Sequence, residues 1–332
     1  TLILFSQILP AQEPNSSYEQ LWAKVHKLER EVLTKSALEV VETITAKARK
    51  EKKHSQVIKS LLFTAKYGLI LEENAKLNVI TSLKKEITKA DFPVKNVLES
   101  YLANLYWQYY QQNRYQFYNR TATDTKIDSV DFRTWDLTTL FNEISLHFEK
   151  SLTNPEELQK ENLKDFEEIL YQQEGSENFR PSLFDLLAHT ALQFYKTDEN
   201  SITRPADKFE IDNPELLCEA YGFTQLNIPI DDKTSLQQKA LGLYQQLVAF
   251  HFPNPKLDAL VEIDIERLKY IHANAVFQDK DQVLLSVLQQ SAENLKQHKV
   301  SALYNYEIAE LLRNQGNTYS PSNKETQWKL KE

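Results

Sequence analysis

His54-Ser55-Gln56-Val57-Ile58-Lys59-Ser60-Leu61-Leu62-Phe63-Thr64-Ala65-Lys66-Tyr67-Gly68-Leu69-Ile70-Leu71 decides how the rest of this 332-residue chain is read. Val57, Leu61 and Ala65 recur at four-residue steps, and Leu62, Leu69 and Ile70 widen the same apolar stripe. Residues three and four apart share one side of a 3.6-residue turn, so this period predicts an amphipathic helix over 54–71. A half-buried strand alternates every second residue, and this stretch does not.

The same period extends in both directions. Towards the N-terminus, Leu21, Val25, Leu28 and Val32 share a face in a segment that opens at Tyr18. Ser36 with Glu39 three residues on reads as a capping box, and Leu38, Val41, Ile44, Thr45 and Ala48 continue from it. Towards the C-terminus, Leu77, Ile80, Leu83 and Ile87 predict a helix stopped near Asp91-Phe92-Pro93, and Val97 to Gln112 another, dense in aromatics. The last third repeats the pattern at 235–250, 255–275, 279–297 and 300–314. The middle is less regular: helices are expected at 135–152, 162–172 and 181–196, between two long polar stretches at 114–134 and 198–234. Each helix has one apolar stripe that it cannot bury alone, and short joining segments suit antiparallel hairpins. The expected fold is therefore all-α: stacked antiparallel helix hairpins, a TPR-like α-solenoid with two long irregular loops. In the last unit Ala302, Tyr304, Tyr306, Ala309, Leu312, Gly316, Asn317 and Tyr319 give the small/aromatic alternation of a tetratricopeptide repeat without its full consensus.

Composition agrees. Five glycines in 332 residues are roughly a quarter of average usage, which is about 7%. Gly alone adopts positive φ cheaply, so little room is left for phosphate-cradling loops, Rossmann turns or a β-sandwich. Hydrophobic residues at 41% and aromatics at 11%, with 16 Tyr and 16 Phe, support a bulky core. A net charge of −8 argues against nucleic acid or an anionic membrane as partner. The one basic stretch, Lys47 to Lys53, falls where a helix ends and complements its dipole. Cys218 is the only cysteine, which leaves no disulfide framework or cysteine zinc site.

Leu2-Ile3-Leu4-Phe5-Ser6-Gln7-Ile8-Leu9-Pro10-Ala11-Gln12 reads as the tail of a secretory signal, followed by a polar linker. No other segment is apolar enough to span a bilayer. The expected organisation is a signal remnant at 1–12, helical hairpins at 13–113, an irregular helical middle at 114–234 and TPR-like hairpins at 235–332. Both ends read as cut, and the mature protein as exported, periplasmic or associated with the outer envelope.

No catalytic set emerges. The seven histidines are scattered, with no His-Glu-x-x-His spacing, and no Gly-x-Ser-x-Gly elbow is present. The chain is read as non-enzymatic, with no cofactor and no metal. The aromatic block from Tyr101 to Tyr118 is the strongest local signal. Helical spacing favours a core or groove lining, and a ligand platform of Tyr106, Trp107, Tyr110 and Tyr118 is the alternative. Two Arg/Asp pairs in non-helical stretches, Arg133 with Asp136 and Arg204 with Asp207, read as clamps holding loops to helices.

Several stretches carry a resemblance: Tyr18-Glu19-Gln20-Leu21-Trp22 with Lys35-Ser36-Ala37-Leu38, Leu105-Tyr106-Trp107-Gln108-Tyr109-Tyr110, Phe117-Tyr118-Asn119-Arg120-Thr121 and Arg133-Thr134-Trp135-Asp136. Arg180-Pro181-Ser182-Leu183-Phe184-Asp185, Leu187-Ala188-His189, Thr203-Arg204-Pro205-Ala206-Asp207 and Gln315-Gly316-Asn317 complete the series. Taken in order, the chain resembles the N-terminal helical region of the alpha-2-macroglobulin-like proteins of Bacteroidetes. The resemblance implies a longer exported protein, linked to protease entrapment and envelope defence, in which this array precedes macroglobulin β-sandwich domains. The family's Cys-x-Glu-Gln thioester signature is missing, because Cys218-Glu219-Ala220-Tyr221 does not fit it. The implied role is a helical scaffold that docks downstream domains of the same polypeptide or an envelope protein. An exported glycan- or peptide-binding helical module is the alternative, and an (α/α) carbohydrate-active enzyme a more distant one.

Overall fold

The computed structural model describes residues 16–71, 75–118, 120, 126, 128–171, 173–197, 209–228, 232 and 234–318. The signal-like segment 1–12 and the Arg204/Asp207 clamp lie outside them. Among the described residues the chain is all-α, a stack of paired helices with no strand. Two isolated bridges, Asn162 to Ser182 and Ile211 to Ala275, are its β-type pairings there.

The first half runs α1 (Tyr18–Arg30), α2 (Thr34–Lys50), α3 (His54–Leu71), α4 (Ala75–Lys89) and α5 (Val94–Phe117), each packed on the next. α1 opens with a capping box in which the Ser17 hydroxyl accepts from the Gln20 amide and the Gln20 side chain accepts from the Ser17 amide. The box expected at Ser36 does not form. α2 already starts at Thr34, with Leu33 as its N-cap and no side-chain cap bond. The cause is the closure of α1: Val32 adopts φ 60°, its amide bonds the Glu29 carbonyl, and the Leu33 amide bonds Leu28. This Schellman geometry turns the chain within three residues, so the next helix begins before Ser36 is reached. The α2–α3 turn copies it, with Lys52 at φ 54° and the Lys53 amide on the Ala48 carbonyl. The scarcity of glycine thus does not remove left-handed positions; Val32, Lys52, Asn154 and Asp279 occupy them instead. One glycine is needed for space, since a Cβ on Gly68 would sit 2.8 Å from Val79 Cγ2 where α3 crosses α4.

The second half contains α6 (Leu137–Ser151), α7 (Pro155–Leu158), α8 (Leu183–Tyr195), α9 (Ala220–Gln225), α10 (Leu236–His251), α11 (Asp258–Asn274), α12 (Lys280–Asn294) and α13 (Ser301–Asn317). The helix expected at 162–172 is a 3-10 helix, Leu163–Ile169, capped by the Asn162 side chain on the Lys164 amide. The stretch 114–134 is irregular only from Tyr118 onward, because α5 runs on to Phe117. α5 pairs most extensively with α6, and α8 packs across α5, α6 and α10.

One continuous apolar core extends from Ala48 to Tyr304. A smaller cluster of Trp22, Val25, Ala37, Val41, Ile44 and Tyr67 fills the space under α1 to α3. Complete burial of a large apolar side chain contributes about 1.5–3 kcal/mol, so both clusters hold the rods together far more strongly than their surface ion pairs.

Candidate functional site

The aromatic block of α5 turns inward. Tyr106 and Tyr110 are buried, at 0% and 1% exposure. Trp107 stacks on Tyr110 at 5.4 Å and meets Phe141 of α6 and Phe194 of α8 edge-on. Tyr106 packs against Phe132, Trp135 and the His147 ring. Tyr118 alone of the four candidates is exposed; its hydroxyl accepts from Arg114 Nε at 2.9 Å, and its ring meets Tyr115 edge-on at 5.7 Å.

The stretch after α5 is organised by arginines. Arg133 Nε and Nη2 donate to the Asp131 carboxylate at 2.7 and 2.6 Å. Asp136 is the N-cap of α6 and accepts from the Thr139 amide at 2.7 Å. Arg120 donates to the carbonyls of Arg133 and Trp135 at 2.8 and 2.6 Å, pulling this segment onto α5, while its guanidinium covers the Phe117 ring.

Charged groups that sequence spacing did not bring together converge in four places. Between α5 and α6, His147 Nδ1 lies 2.5 Å from Glu99 Oε2, and Nε2 lies 3.4 Å from Glu143 Oε1. Lys84 and Lys126 reach Glu143 at 3.0 and 2.7 Å. Burial opposes charge on His147, but its bonds to Glu143 and Glu99 outweigh burial and raise its pKa. Burial likewise pushes Glu143 up, yet His147, Lys126 and Lys84 together hold its carboxyl far below the usual range. Glu143 and His147 are four residues apart on one helix, the single signal of this site visible in sequence.

Between α8 and α10, Asp185 Oδ2 accepts from the Ser182 amide and hydroxyl at 3.0 and 2.6 Å, and Oδ1 meets His251 Nε2 at 2.6 Å. The residue types are those of a Ser-His-Asp triad, but the wiring differs. The serine hydroxyl is spent on the carboxylate and not held by the imidazole, so nothing activates it as a nucleophile. The arrangement is a capping box bolted to the end of the neighbouring helix.

Within α11, Arg267 and Asp264 are fully buried and paired at 2.6 Å. Arg267 also donates to the carbonyls of Leu216 and Cys218, while Tyr304 of α13 donates to Asp264 at 2.6 Å. This cluster fastens the 209–226 segment and the last helix to α11. Beside it, burial raises the Cys218 thiol, which disfavours a thiolate.

The fourth convergence is open to solvent. Lys196, Tyr244, Glu262, Ile265, Glu266, Lys269 and Tyr270 line a cleft of about 450 Å³ between α8, α10 and α11. Glu266 sits at its centre and accepts from Lys196 Nζ at 2.6 Å and the Tyr244 hydroxyl at 3.0 Å, with His189 Nδ1 at 3.5 Å. Burial pulls its pKa up, but His189 and Lys196 bring it down to about 2. A carboxylate held ionised in this way presents fixed charge and is a poor proton donor at neutral pH. Arg180 pairs with Glu262 at 3.1 Å and Lys269 with Glu307 at 3.0 Å at the edges of the cleft. The three helices thus present paired charges above the buried rings of Tyr244 and Tyr270.

Among the described residues, no group of three or more His, Cys, Asp and Glu is placed to hold a metal ion. Nor is any helix there long and apolar enough to cross a membrane. Compared with protein-family models, curated proteins and solved structures, the chain matches none.

Proposed function

We propose that this chain is a non-enzymatic helical scaffold which docks a partner through the α8/α10/α11 cleft, and that it is the N-terminal arm of an exported alpha-2-macroglobulin-like protein. The observation that carries docking is the cleft itself: an open hollow on three packed helices, edged by mutually paired charges and floored by the buried rings of Tyr244 and Tyr270. Such a surface offers hydrogen bonds and charge without reorganisation, which favours recognition. Its central carboxylate is held ionised, the Ser182 hydroxyl is unactivated and the Cys218 thiol is disfavoured as thiolate; each supports a binding role over chemistry. The family reading draws support from the ordered motifs and from the helical-repeat fold. The motif residues Ser182, Asp185, His189, Trp135 and Asp136 all sit at joints between elements. A protease-entrapment or TPR-like label goes further than these observations and belongs to the same proposal.

Site-specific photocrosslinking tests the docking. A benzophenone side chain in place of Lys269, the exposed residue of the cleft lining, should capture a defined partner in the native host, whereas one in place of Tyr171, which is 96% exposed and remote in sequence from the cleft, should not. Equal capture at both positions, or none at Lys269, ends the docking reading. Translation of the gene beyond Glu332 tests the family separately, with repeated β-sandwich domains expected. The glycan- or peptide-binding alternative now rests on the exposed pair Tyr115 and Tyr118, because the other aromatic candidates are built into the core.

A further inference from the structure

The net charge of −8 conceals a division within the molecule. Residues 16–118 carry 17 Lys and Arg against 11 Asp and Glu, a net of +6, while residues 119–332 carry 22 against 35, a net of −13. Glu13 accounts for the remaining unit.

Topology concentrates the positive part. Up-and-down succession of α2, α3, α4 and α5 places the end of α2, the 51–53 turn, the end of α4 and the start of α5 at one end of the stack. Arg49 bonding Glu86 joins the two helix ends directly. Arg49 and Lys50 from α2, Lys52 and Lys53 from the turn, and Lys85 and Lys89 from α4 are all exposed there. Glu51, Glu86, Asp91 and, from the 3-10 helix packed on α3, Glu168 are the nearby acids; Glu86 is taken up by Arg49 and Lys89, and Glu168 by Gln56 and Lys59. Lys50, Lys52, Lys53 and Lys85 form no ion pair among the described residues. The helix-dipole role expected for Lys47 to Lys53 accounts for cations on α2; it does not account for those on α4 gathering at the same end.

We propose that this basic end is a docking surface for the headgroup phosphates of an anionic lipid bilayer. An acidic protein is the competing occupant, and the surface chemistry disfavours it. Protein interfaces depend on a few desolvated aromatic or apolar anchors, but none of the exposed large apolar side chains falls within residues 34–68 or 75–114. What remains is a spread of ammonium groups on helix ends. That suits a laterally mobile array of phosphates, where each Lys or Arg adds about a fivefold gain in affinity. The acidic remainder is repelled by the same bilayer, so the molecule meets it end-on by the α2–α3 turn. No described helix is able to cross the membrane, and the contact is peripheral and weakened by salt.

Co-sedimentation of the full chain with vesicles tests the proposal. Binding is expected to phosphatidylglycerol/phosphatidylcholine vesicles at low ionic strength, with little to phosphatidylcholine alone, and with no competition from millimolar inorganic phosphate. Replacing Lys50→Ala, Lys53→Ala and Lys85→Ala together should lower the affinity on the order of a hundredfold. The control triple Lys160→Ala, Lys256→Ala, Lys296→Ala should leave it unchanged, with both proteins native by circular dichroism. Equal binding to both vesicle types, equal losses in both triples, or full displacement by free phosphate overturns the bilayer proposal. Sedimentation velocity without vesicles adds one more outcome: self-association abolished by the first triple, without vesicle binding, assigns the surface to an acidic protein face instead.

Discussion

The helices α1 to α4 and the helices α5 to α13 are held together by different means. In the first group the buried side chains are apolar apart from Gln56 and Ser60. Ion pairs within it, such as Lys66 with Glu29 and Arg49 with Glu86, lie at the surface. In the second group Glu99, Glu143, His147, Asp185, His189, His251, Asp264 and Arg267 are all buried, and each pairs with a partner. Three-residue Schellman turns leave consecutive rods little choice of position, so α1 to α3 pack with a single buried side-chain hydrogen bond between them, Trp22 to Gln56, among the described residues, and no buried ion pair. Up to α10 the second group is joined by long irregular segments, and helices there meet out of sequence order, α8 on α10 for example, whereas α10 to α13 follow one another through short links. Buried pairs punish wrong docking there, because a mismatched charge left in the core is expensive.

This contrast can be broken at graded levels. Asp264→Ala strands Arg267 in the core and should cost about 3–5 kcal/mol in chemical denaturation. Limited proteolysis should then open the 209–226 segment first, since Arg267 no longer holds its carbonyls. Glu266→Gln should remove one part of the acid-side loss of stability, Glu143 carrying another. The folded carboxyl titrates near 2, so its contribution is present above the ordinary carboxylate pKa and disappears as pH falls towards 2. The linked energy is about 2–3 kcal/mol. His147 behaves in the opposite sense. Its pKa is raised in the fold, so its stabilisation is complete below the ordinary imidazole pKa of about 6.5 and is lost as pH rises through the folded value. Urea midpoints measured across that range should fall on the alkaline side, and His147→Gln should flatten the slope. Val32→Gly and Lys52→Gly relieve left-handed strain in the first group and should stabilise it by up to about 1 kcal/mol. Lys66→Ala should change stability by less than about 1 kcal/mol, being a half-exposed pair. A large loss there would show that the first group also depends on charge.

The rods were legible in sequence because a helix is a local pattern. The limits of α3 follow from the 54–71 periodicity, and Ser235, which opens the 235–250 segment, is the N-cap of α10. The Ser36 cap was misplaced because turn closure at Val32 is decided by backbone geometry, which side-chain type reports poorly. The joints were mostly illegible. Glu99 and His147 are 48 residues apart, and Asp185 and His251 are 66 apart, so no window of sequence contains both partners. Only the i, i+3 and i, i+4 members, Asp264 with Arg267 and Glu143 with His147, left a local trace. The aromatic block was conspicuous in sequence but reports core packing at Tyr106 and Tyr110, while the cleft around Glu266 is assembled from three helices and has no motif.

Trp22 of α1 donates to Gln56 of α3 at 2.7 Å, and the Gln56 amide donates onward to Glu168 of the 3-10 helix. The second bond joins residues 112 positions apart. Synthesis proceeds at about 5–20 residues per second, so the opening rods exist for roughly ten seconds before the segment that covers α3 has been made. During that interval the flank of α3 around Gln56 lacks the cover that Glu168 and its 3-10 helix later supply.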